Sequence, residues 1–250
     1  MPLSQQAWHQ RFLAQARWTR GLREHLFPRI GFPDAERVLD IGCGTGALVE
    51  ELDPHFDGLW VGIDIEPQRV MMAMRNYPQG VFFTADGHHL PFPDRTFDIS
   101  LNHYTLLWVA DPLRVLQELK RVTSQGGFVL ALAEPDYGGR IDHPPPLDSI
   151  RELQISSLKQ QGADPRLGRK LRGLFHQAGL NQVTTGVFQG KWQKPIDQQE
   201  WEMEWQVLEE DLQGEMGQEQ IQKLKHADRA AWENGTRTLY LPTFYAWGKA

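Results

Sequence analysis

Apolar and polar positions follow two different periods along this chain. Trp8, Phe12, Ala16 and Leu22 fall on one face of a helix spanning 4–27, which Pro28 and Gly31 end. Short runs of strand-forming residues come next: Arg37–Ile41, Leu59–Asp64, Val81–Thr84, Thr96–Leu101, Phe128–Ala133, Val183–Gln189 and Thr238–Trp247. Helical stretches separate them at Ala47–Leu52, Pro67–Asn76, 111–122, 147–161 and 166–178. An insert at 197–233 also reads as helix. Pro67 suits a first helical turn, and Asp111-Pro112 can cap and open the helix behind it. Gly126-Gly127 turns into the fifth strand, and Glu134–Pro146 reads as a long loop rich in Pro and Gly.

Strands alternating with helices predict an α/β fold: a doubly wound, Rossmann-like, mostly parallel sheet with helices on both faces. In such sheets ligands sit beyond the carboxyl ends of the strands, near the point where strand order reverses. The loops after strands one to five are therefore where chemistry is expected.

Composition narrows the class. The 250 residues, 40% hydrophobic and 23% charged, can bury a sizeable core as one large domain or a domain with a lid. There is no internal repeat. No apolar run approaches the roughly 18 residues of a membrane span, and the first residues lack a secretory apolar stretch. A single cysteine excludes an intramolecular disulfide and a multi-thiolate zinc site. The expectation is a soluble, cytoplasmic protein without a metal. A net charge of −6 disfavours a nucleic-acid surface. The charge is uneven: residues 1–29 hold five Arg against Glu24, while 197–233 hold eleven acids against Lys223, Lys225 and Arg229. Two solvated helix faces would explain this, and so would packing of the basic N-terminal helix near the acidic insert.

Gly42-Cys43-Gly44-Thr45-Gly46 joins the first strand to the first core helix. Glycines there let a backbone approach a ligand, and the helix N-terminus offers free N–H groups and positive dipole. With Ala47 the loop also fits the dinucleotide pattern. Asp64, ending the second strand, can hold ribose hydroxyls in either case. The loop does not separate NAD from other adenosine cofactors.

Later segments do. Val38–Gly46 closely resembles the first motif of class I S-adenosylmethionine-dependent methyltransferases, and Gly62-Ile63-Asp64-Ile65 the second. Ala85-Asp86-Gly87, then Leu90–Asp94 with Phe97-Asp98, resemble the third and fourth, and Gly126–Leu130 resembles the turn into strand five. The resemblance covers residues 37–133 and is nearest to the ubiquinone/menaquinone C-methylase type. It implies a seven-stranded sheet with the last strand antiparallel. It also implies one methyltransferase domain: an N-terminal helical cap (1–30), a cofactor-binding core (31–190), a helical lid (191–236) and the last strand (237–250).

The resemblance further implies roles. Gly42, Gly44 and Gly46 would admit the methionine part of S-adenosylmethionine, with Asp40 orienting the loop or meeting the amino group. Asp64 would accept both ribose hydroxyls. Ile65 would pack on the adenine, with Asp86 and Gly87 at its amino edge, and Asn102 would face the methionyl end. Among Arg17, Arg20 and Arg23, the last is favoured to meet the cofactor carboxylate.

Methyl transfer is an in-line displacement that needs alignment, water exclusion and sometimes a base. His103, at the mouth of the expected site, is the candidate base. Tyr104, Trp108, Glu134, Tyr137 and His143 are candidates for the acceptor's walls and rim. Trp192, Trp201, Trp205, Trp232 and Trp247 concentrate in the C-terminal part, where a lid would offer flat walls to an aromatic or lipophilic acceptor. The segment after strand four departs from the Asn/Asp-Pro-Pro-Tyr pattern of nucleic-acid amine methylases. The expected function is methyl transfer to a small molecule. A non-catalytic S-adenosylmethionine-binding protein and a methyltransferase acting on RNA or protein stay open as alternatives. An NAD-dependent dehydrogenase is disfavoured, since it would leave the Asp86 segment unexplained. Acceptor identity and oligomeric state are not readable from the residues.

Overall fold

The structure, a computed structural model, describes residues 4–52, 56–188 and 197–250. The expected boundary at 190/191, Gln189 and Trp192 lie outside the described residues. Two helices open the chain, α1 (Gln5–Trp18) and α2 (Arg20–Leu26). The core then runs β1 (Arg37–Ile41), α3 (Ala47–Leu52), β2 (Leu59–Asp64), α4 (Pro67–Asn76), β3 (Val81–Thr84), β4 (Phe97–Asn102), α5 (Pro112–Val122) and β5 (Thr123–Pro135). It continues with β6 (Ile141–His143), α6 (Ile150–Gln160), α7 (Leu171–Gln177), β7 (Asn181–Phe188), α8 (Gln198–Leu212), α9 (Gln218–Glu233), β8 (Thr238–Tyr240) and β9 (Thr243–Lys249).

Among the described residues, seven strands form one sheet in the order β3-β2-β1-β4-β5-β9-β7. Pairings from β3 through β5 are parallel, and β9 runs antiparallel between β5 and β7. Side-chain alternation divides the core between the two faces of the sheet. Val38, Trp60, Ile99 and Leu130 join one apolar cluster, with Leu22, Leu26 and Val70 from the helices. Their neighbours Leu39, Val61 and Val129 join the other, with Leu116 and Phe175. Strand order reverses between β1 and β4, which places a crevice beyond Ile41, Asp64 and Asn102.

Three expectations need correction. The helix expected over 4–27 breaks at Thr19, whose hydroxyl turns back onto the carbonyls of Ala16 (3.1 Å) and Gln15 (3.2 Å). The loop expected at 134–146 contains β6, which pairs antiparallel with β8 in a second, two-stranded sheet. The last strand expected at Thr238–Trp247 is accordingly two strands, β8 and β9. The insert folds as α8 and α9 around a third apolar cluster holding Trp201, Trp205, Leu208 and Ile221, with Ile150 from α6.

Candidate active site

β1 ends in a loop whose glycines all adopt positive φ. At Gly44 (φ 56°) a side chain would meet both that conformation and the Phe12 ring, 3.2 Å from an added Cβ. The loop is held by Asp64 at the end of β2: its Oδ2 accepts the Gly44 N–H and its Oδ1 the Glu66 N–H, each at 2.9 Å. α1 is fastened over the loop by His9, whose Nδ1 lies 2.8 Å from Thr45 Oγ1.

Two cavities open here. The first, of about 680 Å³, is lined by residues at the carboxyl ends of β1 to β4: Asp40, Gly42 and Gly44, then Asp64 and Ile65, then Asp86 and Gly87, then His103, Tyr104 and Trp108. Trp8, Phe12 and Arg11 of α1 close one side. The second, of about 480 Å³, lies between α1 and the α8–α9 pair, walled by Trp18, Trp201, Trp205, Trp232, Phe188 and Leu208. Six residues border both: Arg11, Gln15, Tyr104, Tyr137, Gln154 and Val207. They form a waist between the cavities.

Several expected residues meet in the first cavity. Asp40 is buried, and its Oδ1 has no hydrogen-bond partner in the structure. Burial and the nearby Asp64 hold its carboxyl well above the usual carboxylate range. Ile65 stands 67% exposed on the cavity wall. Asp86 Oδ1 is engaged by the His88 ring (2.6 Å) and backbone N–H (2.9 Å), which hold its carboxyl below the usual range. Trp108, 49% exposed, borders this first cavity and not the second. Tyr104 and Tyr137 stand at the waist. Tyr104 sits in the left-handed region (φ 55°), secured by its N–H on the Ala133 carbonyl at 2.9 Å.

Other expectations are corrected. Arg23 does not line either cavity: its guanidinium is buried in an ion pair with Glu51 and bonds the Ala16 carbonyl and Thr19 hydroxyl. Asn102 is fully buried behind the crevice and donates to Glu134 at 3.3 Å. Glu134 is no rim residue. Its buried carboxylate accepts the N–H groups of Thr105 (3.0 Å), Leu106 (2.8 Å) and Leu107 (3.1 Å), and so folds the loop after β4. Burial pushes its carboxyl up to about 7 against those donors. His143 is exposed in β6 and reaches neither cavity. His103 borders the first cavity with its Nε2 2.9 Å from Thr19 Oγ1. Burial and the Arg23 charge push its imidazole down to about 3, which makes it a poor base and a tether for α1.

Sequence reasoning missed Arg11 and Gln15, although 8, 11, 12 and 15 share a helical face. It also missed a buried chain of polar side chains joining the cavities. Asp211 accepts from Gln161 (3.0 Å) and Gln154 (2.9 Å), and Gln154 accepts from Arg140 (2.7 Å). Arg140 pairs with Asp142, Asp142 with Arg237, and Arg237 with Asp228. Asp228 Oδ2 finally accepts both indole N–H groups of Trp201 (2.7 Å) and Trp205 (2.8 Å). The basic and acidic segments do meet: Arg11 of α1 lies 3.0 Å from Glu204 of α8. Among the described residues no group of His, Cys, Asp or Glu is disposed to hold a metal, and no helix is long and apolar enough to cross a membrane.

Comparison with known proteins agrees with this geometry. Residues 39–131 match a family described as a methyltransferase domain. A demethylmenaquinone methyltransferase of Lysinibacillus sphaericus is 30% identical over 193 residues, covering 69% of this chain and 80% of that protein. An uncharacterized methyltransferase of Schizosaccharomyces pombe is 32% identical over 153 residues, 55% of this chain, which spans about half (54%) of that relative's length. A phosphoethanolamine N-methyltransferase 2 of Haemonchus contortus, solved with S-adenosyl-L-methionine, superposes with a TM-score of 0.55 at 16% identity, over 86% of this chain and 48% of that one.

Proposed function

Since the chain belongs to the class I S-adenosylmethionine-dependent methyltransferases, near the ubiquinone/menaquinone type, we propose that it transfers the methyl group of S-adenosylmethionine to a small molecule seated in the second cavity. The observation that carries this reading is the pair of cavities meeting at a shared waist, one built on the glycine loop and the other walled by indoles. A donor in the first and an acceptor in the second would face one another there, and alignment is most of what an in-line displacement asks of a protein.

The residues of the first cavity suit the cofactor. Asp40, buried with an unpartnered oxygen, would take its ammonium group. Asp64 would accept the ribose hydroxyls on lone pairs left beside its two backbone bonds. Ile65 would cover one adenine face, and Asp86 and Gly87 would border its edge. When bound, the cofactor supplies a methyl group already activated on a sulfonium. Trp8 and Phe12 would shield the site from water. His103 holds α1 in place through Thr19 and is assigned a positioning role rather than that of the base.

Calorimetric titration of the purified protein with S-adenosylmethionine and S-adenosylhomocysteine, with NAD as control, tests the reading. Micromolar binding of the first two and none of NAD is expected. Binding of neither, or equal binding of NAD, overturns it.

A further inference from the structure

Among the described residues the waist lacks a proton acceptor. Its six residues are a guanidinium, two phenols, two amides and Val207. Burial pushes the Tyr137 hydroxyl up to about 12 and that of Tyr104 higher still, so both are donors. The neighbouring candidates for a base are committed elsewhere. His103 faces only the first cavity and is tied to Thr19. Asp211 carries the Gln154 and Gln161 amides. Glu204 borders only the second cavity, as the counter-ion of Arg11.

The Arg11–Glu204 contact is incomplete. Nη1 and Oε1 lie 3.0 Å apart but are not aligned as a hydrogen bond, and both buried atoms lack a hydrogen-bond partner. The Arg11 side chain is 12% exposed and the Glu204 side chain 37%, so the carboxylate can leave toward solvent while the guanidinium stays. Deeper in the second cavity, Arg140 and Arg237 are matched by Asp142 and Asp228, and the Trp201 and Trp205 N–H groups are spent on Asp228. Among the described residues that interior offers aromatic surface and no further cation, while the carboxylates of Asp197 and Glu200 lie at its wall. The first cavity has a guanidinium of its own in Arg69, 5.7 Å over the Phe12 ring.

We propose that the acceptor is an apolar carboxylic acid, bound as its carboxylate at the waist on Arg11 in place of Glu204, with its apolar body among Trp18, Trp201, Trp205 and Trp232. This rests on the methyl-transfer reading above. A carboxylate oxygen forms a C–O bond to the methyl carbon as the C–S bond breaks, with that electron pair left on sulfur. The acid becomes a neutral ester, the sulfonium a neutral thioether, and no proton is released, so no base is required. A phenol or an ammonium would have to lose a proton that nothing at the waist is placed to take. An ammonium would also add positive charge beside Arg11.

The test uses three probes with one ring body: 2-naphthoate, 2-naphthol and 2-naphthylmethylamine, the last an ammonium at neutral pH, each titrated calorimetrically into the full chain with and without S-adenosylhomocysteine. Naphthoate should bind at least about tenfold tighter than the other two, the scale of one charge-assisted hydrogen bond. Arg11→Gln should erase that preference while leaving S-adenosylhomocysteine affinity within about threefold, and Glu204→Gln should tighten naphthoate by about threefold or more. With radiolabelled S-adenosylmethionine, methyl 2-naphthoate should form. Equal binding, a preference for naphthol or naphthylmethylamine, or no binding of any probe overturns the proposal. So does an equal loss of naphthoate and S-adenosylhomocysteine affinity in Arg11→Gln, which would give the guanidinium to the cofactor's carboxylate. Loss of transfer in Glu204→Gln would make Glu204 the base and overturn it as well. Failure of S-adenosylhomocysteine to bind would refute the cofactor reading instead, and the naphthoate comparison in its absence would still stand or fall alone.

Discussion

Replacing Asp64 with Ala removes two supports at once, and their sizes can be separated. In the free protein its carboxylate accepts the Gly44 and Glu66 N–H groups at 2.9 Å each. Hydrogen bonds to a charged acceptor contribute roughly 1.5–3 kcal/mol apiece when buried. Asp64 lines an open cavity, so water can replace part of that, and a loss of about 2 kcal/mol in unfolding free energy is expected. The protein should stay folded, with a lower urea midpoint. Losing two ribose hydroxyl contacts should cost a further 3 kcal/mol or so of cofactor affinity, about a hundredfold in Kd. Calorimetry with S-adenosylmethionine reads that number. The 2′,3′-dideoxy analogue of S-adenosylhomocysteine separates the causes: it should bind the wild type and Asp64→Ala almost equally. A loss below about threefold for S-adenosylmethionine would refute the ribose role, since even one such bond is worth more. An equal loss for the dideoxy analogue would assign the effect to the glycine loop alone.

Two further substitutions probe the supports of the site. Glu134 has a folded-state pKa raised from its ordinary 4.5 to about 7, so its contribution is fully present below 4.5 and is lost as pH rises through 7. The amount is about 3 kcal/mol. Glu134→Gln should flatten that dependence in urea unfolding at pH 5 and pH 8, and an unchanged pH slope would sink the assignment. Asp228→Asn would turn an amide donor toward Arg237 and leave a buried cation underpaired, a loss of about 3–5 kcal/mol. Urea unfolding followed by circular dichroism measures it, and a change below about 1 kcal/mol would mean that the chain from Arg140 to Trp205 does not hold the α8–α9 pair.

What could be read from the residues was what local sequence determines. Gly42 to Gly46, Asp64 and Ile65 follow from a strand, a tight turn and a helix in consecutive register, and each stands where that register puts it. The break at Thr19 was hidden because no glycine or proline causes it; Thr19 instead bonds across 84 residues to His103. That break decides which arginine reaches the crevice. Beyond it the helical face turns, burying Arg23 against Glu51, while Arg11 on the unbroken side lines both cavities. Glu134 reads as rim because the apolar run stops at Ala133, yet β5 continues to Pro135 on its pairing with β9. His143 was drawn into a site by its loop-like context, and the pairing that removes it, with Thr238, is again long-range.

The same contrast explains why resemblance stops short of the acceptor. The family match spans residues 39–131, and within it lie the glycine loop, Asp64, Ile65, Asp86 and the loop that Glu134 folds. Of the described residues lining the second cavity, Tyr104 alone falls inside that span. The others come from α1, from the segment after β5, from the α8–α9 pair and from the strands that close the chain. Those elements are brought together by ion pairs across long stretches of sequence, such as Arg237 with Asp142 and Arg11 with Glu204. The residues proposed to hold the cofactor therefore lie in a contiguous stretch that similarity can detect. The proposed acceptor site rests on charges that must be counted in three dimensions, and among the described residues of the waist that count leaves one guanidinium imperfectly paired and no base.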